Sequence, residues 1–149
     1  MSMDGSRDTG ERAEGWNPRA AGAELFEAVD RDDAAAVRSL LAGGADIEAA
    51  DPRSPFHDGE TVLIGAAGRG AADTVRLLLD AGAEVNARSA SGWTALMRAC
   101  DAGHLDCARV LLDAGAAVGA RNDEGYTAHG RTAIRNTELI RLLEERGAD

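Results

Sequence analysis

Lysine and glutamine are absent from this 149-residue chain, aromatic residues make up only 3% of it, and cysteine occurs twice. Without lysine, all 16 basic residues are arginines, and they face 26 acidic ones for a formal net charge of −10. A phosphate backbone or an anionic membrane repels such a surface, so general nucleic-acid and membrane binding are excluded and a basic protein surface is the favoured partner. The 44% of apolar residues must fill the interior mainly as Ala, Val, Leu and Ile, which suits closely packed helices. Cys100 and Cys107 allow one disulfide at most, a poor staple for a secreted domain and the usage of a reducing cytoplasm. Long apolar runs are missing too. Arg69, Arg76 and Arg98 interrupt the later apolar stretches, and residues 1–22 have neither an apolar run nor a cleavage-site pattern, so no membrane span or signal peptide is expected. The length suits one domain plus a tail, here a flexible tail over 1–22 and a folded region over 23–149. The excess of Ala, Gly, Arg and Asp is of the kind seen in high-GC bacterial genomes.

What the chain does contain is a repeat. Gly59, Gly92 and Gly125 recur every 33 residues, and Thr61, Thr94 and Thr127 keep the same step. Leu41, Leu79 and Leu112 each stand three residues before a Gly-Ala pair, at Gly44, Gly82 and Gly115. A threonine hydroxyl at Thr61 or Thr94 can accept a hydrogen bond from an orphan amide, so each opens a first helix. Gly70 and Gly103 follow short Ala-rich runs and supply the left-handed residue that turns the chain back. Val75, Leu78, Leu79 and then Ala108, Leu111, Leu112 show the i, i+3, i+4 stripe of a buried second helix. The segments 83–92 and 116–125 lack helical periodicity and are expected to project as turns.

The segments Gly92-Trp93-Thr94-Ala95-Leu96 and Val110-Leu111-Leu112-Asp113-Ala114-Gly115-Ala116 resemble the ankyrin repeat, as does the run from Leu77 to Ala87. The resemblance covers about Glu24 to Asp149 and implies an all-α solenoid of stacked helix-turn-helix units with projecting finger loops. The units are expected at 23–50, 56–88, 89–121 and 122–149, the outer two acting as caps, with no unit stable alone. The family's Thr-Pro-Leu-His turn is only partly kept, since no unit has its Pro or His at the matching place.

Two departures stand out. The step from Gly44 to Gly82 is 38 residues, and the excess falls in an elongated first finger, 51–58, where Pro52 and Pro55 exclude helix. In the last unit His129 and Gly130 replace the apolar pairs Leu63-Ile64 and Leu96-Met97, which predicts a weak first helix. Glu144 in place of Leu79 and Leu112 gives the last helix the wetter outer face of a cap.

Chemistry-bearing residues do not converge. Cys100, His104 and Cys107 offer only three ligands without a metal-finger spacing, and their places in the repeat read as packing and turn positions, so no metal is expected. Gly68-Arg69-Gly70 has no third glycine and no preceding strand, and a phosphate loop would need the missing lysine, so no cofactor is expected. His57-Asp58 and His129 have no nucleophile at a meaningful spacing, so no catalytic residues are assigned and the protein is not read as an enzyme.

The resemblance implies instead that residues flanking the finger glycines and ending the first helices line a concave face that receives a partner protein. Carried over, this marks Phe56, His57, Asp58 and Glu60, then Ala90, Ser91 and Trp93, then Asp123, Glu124 and Tyr126, with Asp30, Arg31, Arg69 and Asp101 at helix ends. Trp93 and Tyr126 occupy the same place in adjacent units, so their rings are expected side by side, open to a partner and rimmed by carboxylates. The expected function is non-catalytic protein binding by a monomer. The alternative is a small-molecule-binding protein or enzyme with a pocket between the long finger and the concave helices.

Overall fold

Thr61, Thr94 and Thr127 all sit in extended backbone, and each side-chain oxygen accepts a hydrogen bond from the amide three residues on, at Ile64, Met97 and Gly130. Each such cap contributes about 1 kcal/mol to the helix that follows. In a computed structural model of the chain, which describes residues 18–52, 58–132 and 136–147, these threonines open three of eight helices. In chain order the helices are α1 (Pro18–Asp30), α2 (Ala34–Ala42), α3 (Val62–Arg69), α4 (Ala72–Asp80), α5 (Ala95–Ala102), α6 (Leu105–Asp113), α7 (Ala128–Arg131) and α8 (Thr137–Glu145).

Within a unit the chain reverses through one left-handed residue. Gly70 and Gly103 hold φ of 79° and 80° at the ends of α3 and α5. In the first unit Asp32 takes this place at φ 58°, and its carboxylate accepts a 2.5 Å hydrogen bond from the Thr74 hydroxyl of the next unit. Units also meet at these turns, since the His104 ring lies only 2.8 Å from where a Cβ on Gly70 would sit. That contact gives His104 a structural place and makes glycine at 70 a packing requirement as well as a backbone one.

The helices stack in two rows. α1 packs on α3, α3 on α5 and α5 on α7, while α4, α6 and α8 follow one another outside them. Leu25, Leu63 and Leu96 fill the inner row, joined by Phe26, Ile64 and Met97, and every one of these side chains is buried. Val75, Leu78, Leu111, Leu139 and Leu143 fill the space between the rows. The core is therefore built from contacts between successive units, as a repeat array requires.

The ends of the array are irregular for local reasons. α1 begins at Pro18, inside the 1–22 stretch that composition assigns to a tail, because proline has the φ of a first helical turn and lacks only an amide that would go unpaired there. Residues 1–17 lie outside the described residues. At the other end α7 spans four residues. His129 stands where Leu63 and Leu96 fill the core, with its Nε2 buried and unpartnered, and the chain leaves the helix at Thr132, which turns extended and donates its hydroxyl to the Ala128 carbonyl at 3.0 Å. Glu144 is exposed on α8, giving the last helix a polar outer side.

The finger hairpins are closed by a backbone bond from Ser89 N to Trp93 O and from Asn122 N to Tyr126 O, at 2.8 and 2.9 Å. Asp51 N donates to Glu60 O at 2.8 Å in the same way. Asp51 is buried like Ser89 and Asn122. It therefore belongs to the common base of the hairpin, and the insertion lies between this base pair. Residues 53–57, with the candidate site residues Phe56 and His57, are outside the described residues.

Candidate functional site

One step beyond each finger glycine stand Glu60, Trp93 and Tyr126, and five residues further, in the first turns of α3, α5 and α7, stand Gly65, Arg98 and Arg131. The helix caps at Thr61, Thr94 and Thr127 fix the angle between these two positions, so the same geometry repeats from unit to unit. Arg98 reaches back one unit to Glu60, with Nη2 at 2.5 Å from Oε2, and its guanidinium also covers the Trp93 ring at 4.2 Å from the centroid. Arg131 lies over Trp93 at 5.2 Å and over Tyr126 at 5.0 Å. A ladder results, in which arginines alternate with a carboxylate and two rings.

This order corrects the expectation of two adjacent, open rings. Trp93 is 9% exposed and part of the core, with arginines of two units over its ring. The 33-residue step carries the backbone of Trp93 onto that of Tyr126, but the Arg131 guanidinium lies between the side chains. Tyr126, at the last rung, is 42% exposed. Cation–π contacts of this kind are worth about 0.5–1 kcal/mol when exposed and about 2 kcal/mol when desolvated, so the covered Trp93 gains more than Tyr126.

Part of the expected carboxylate rim, Glu60, Asp101 and Asp58, is already partnered within the chain. Asp101 binds Arg131 at 2.6 Å, and Asp30 binds Arg69 through its carbonyl at 2.9 Å and its carboxylate at 3.7 Å. Asp58 ties the first finger to the second. Its carboxylate accepts from Ser89 Oγ at 2.6 Å, from Ser91 N at 3.3 Å and from Ser91 Oγ, and its own φ of 55° is left-handed. Burial opposes its charge, but the serine hydrogen bonds and the nearby Arg98 outweigh burial and hold its pKa below the ordinary value of 3.8. Asp123 and Glu124 are exposed at the last finger, where the Asp123 amide donates to Ser91 O at 3.0 Å. Ala90 donates its amide to Asp58 O at 2.7 Å, and Arg31 pairs at 3.8 Å with Asp33.

Sequence reasoning passes over Arg98 and Arg131, although both lie five residues beyond a finger aromatic at the repeat spacing. It also passes over Gly65, where the same position has no side chain. A groove of about 370 Å³ opens there, floored by Gly65 and Gly68 and edged by Asp30, Asp51, Glu60, Arg69 and Arg98.

The cysteines are packed thiols. Burial raises Cys100 to about 12 against a hydrogen bond with Thr132, with Asp101 adding to the rise. Cys107 is raised to about 11, again by burial first, then by Asp106, with Arg76 opposing. Both therefore stay protonated and poorly nucleophilic at neutral pH. Among the described residues, no group of three His, Cys, Asp or Glu side chains converges on a metal position, and no helix is long and apolar enough to cross a membrane.

A family model described as ankyrin repeats in three copies matches residues 25–122, more than half of the chain. No curated protein matches the sequence. Ankyrin repeats generally serve as protein–protein interaction modules and are typically non-catalytic. The match agrees with the 33-residue period, the capped helix pairs and the projecting hairpins, and the chain belongs to the ankyrin-repeat family.

Proposed function

We propose that this protein is a non-catalytic module that binds a partner protein along its concave side, with the last two fingers at the centre of the contact. The observation that carries the reading is Tyr126, the exposed large apolar side chain among the described residues, held against Arg131 with Asp101 behind it. Tyrosine and arginine are the residue types that dominate protein interfaces, and a ring already fixed by its neighbour loses little freedom on binding. Asp123 and Glu124 beside it, with the net charge of −10, favour a partner with a basic surface. The chain acts as a monomer in the cytoplasm, with the repeats as its folded unit.

Hydrogen exchange on the protein with a partner captured from its host tests this. Protection is expected over residues 122–131 and along the finger side of α5. Protection confined to α4 and α6 would place the partner on the outer row and refute the reading.

A further inference from the structure

Two repeating contacts stop short at the last finger. Each finger is tied to the one before it by a backbone bond, Ala90 N to Asp58 O at 2.7 Å and Asp123 N to Ser91 O at 3.0 Å. The carbonyl in line with those of Asp58 and Ser91 belongs to Glu124, and among the described residues nothing donates to it. The ring ladder ends in the same place. Trp93 is buried under Arg98 of its own unit and Arg131 of the next, whereas among the described residues only Arg131 covers Tyr126, which stands exposed. The Asp123 and Glu124 side chains are exposed on this finger, and among the described residues no salt bridge engages either carboxylate. The helical rows, in contrast, end in polar side chains, with Glu138, Arg141, Glu144 and Glu145 exposed on α8.

We propose that the partner continues the finger row in place of a next unit, laying an arginine over Tyr126 while its backbone donates an amide to the Glu124 carbonyl. This rests on the concave-side reading above and specifies its chemistry. Arginine is the residue that covers both rings within the array, and a planar guanidinium stacks on a tyrosine better than an ammonium while keeping donors for a carboxylate. Asp123 and Glu124 supply carboxylates on the same finger, so charge complementarity selects a cation here. A second copy of the chain does not fit. Leu25 and Phe26 fill the core as Leu96 and Met97 do, which puts the exposed Glu27 at the position of Arg98. A stacked first unit would therefore bring a carboxylate to the negative face of a ring and to the carboxylates beside it, and both repel it. The polar side of α8 offers a partner helix no apolar seat, so the contact is made by a loop or extended segment at the fingers.

The test is a titration of the full-length, ¹⁵N-labelled protein with the capped peptide acetyl-Gly-Arg-Gly-amide. The sequence contains one tyrosine, so tyrosine ring protons report on position 126 alone. Saturable shifts are expected for this ring and for the Gly125 amide nitrogen, which senses a hydrogen bond to the carbonyl before it. The same peptide with citrulline, isosteric but uncharged, should bind about tenfold more weakly, and the lysine peptide should also bind more weakly. Tyr126→Phe keeps the ring and should keep the Gly125 shift, while Tyr126→Leu keeps apolar bulk and should lose it. No saturable shift in the wild type, an equal response to the citrulline or the lysine peptide, or an unchanged Gly125 shift in folded Tyr126→Leu would overturn the proposal. Self-association of the wild type that Tyr126→Leu abolishes would place a second copy there and overturn it as well. With a captured partner, Tyr126→Leu should raise Kd about tenfold and Tyr126→Phe should leave it unchanged. Hydrogen-exchange protection over residues 122–131 with a Kd unmoved by Tyr126→Leu would remove the arginine and keep the concave-side reading, and absence of that protection would remove both.

Discussion

The Arg98 guanidinium lies 4.2 Å from the centre of the Trp93 ring, so a residue of the first turn of α5 covers the finger side chain that precedes the same helix. The contact joins local geometry to the stack, because Arg98 also pairs with Glu60 one unit earlier and Arg131 covers the ring from one unit later. Trp93 is thus a joint between three units, and its loss should be felt in the whole array.

Trp93→Ala is therefore expected to destabilise the fold by about 3 kcal/mol, the lower end of the range for emptying a buried aromatic site. Chemical denaturation followed by circular dichroism measures this as a lower midpoint with an unchanged slope. Trp93→Phe keeps a ring between the two arginines and should lose much less. A midpoint unmoved by Trp93→Ala would show that the indole is not a structural joint.

The finger link at Asp58 predicts a pH dependence. Its pKa is lowered in the folded state, so the ionised group contributes stability that is fully present above the ordinary value of 3.8 and is lost as the pH falls through the lower folded value. Asp58→Asn tolerates the left-handed backbone and removes the titrating charge. The variant should be less stable than the wild type at neutral pH, and the gap should close as the pH falls below 3.8. A gap that stays constant across this range would mean that the charge does not hold the fingers together.

Removal of residues 53–57 leaves Asp51-Pro52-Asp58-Gly59-Glu60, the same length as Ser89-Ala90-Ser91-Gly92-Trp93 in the next unit. The hairpin base between Asp51 and Glu60 is retained. Helix content and cooperative unfolding should be unchanged, since shortening a surface loop alters closure entropy by only about 0.6 kcal/mol per halving. A loss of cooperativity in thermal unfolding would show that the insertion carries core contacts.

The features legible in the sequence are those set within a few residues and then repeated. Thr61, Thr94, Gly70 and Gly103 announce their caps because each satisfies a local backbone demand, and the 33-residue period identifies them in every unit. Asp32 escapes such a reading because an aspartate takes the left-handed turn that glycine marks elsewhere. The ladder escapes it for a different reason. A constant step places equivalent backbone positions in line, but it does not reveal that Arg131 inserts its side chain between Trp93 and Tyr126 or that Glu60 and Asp101 are already paired. Gly65 reads as part of an Ala-rich run until Arg98 and Arg131 show what the position holds in its siblings.

The central claim is that the exposed end of this ladder binds a partner, and the affinity of a captured partner for Tyr126→Ala, measured by calorimetry beside the wild type, tests it most directly. Tyr126 is 42% exposed, so its truncation should cost little more than the exposed cation–π contact, about 0.5–1 kcal/mol of stability. At a hot spot the same change costs about 2 kcal/mol of binding, so Kd should rise more than tenfold. An unchanged Kd with the fold intact would contradict the account.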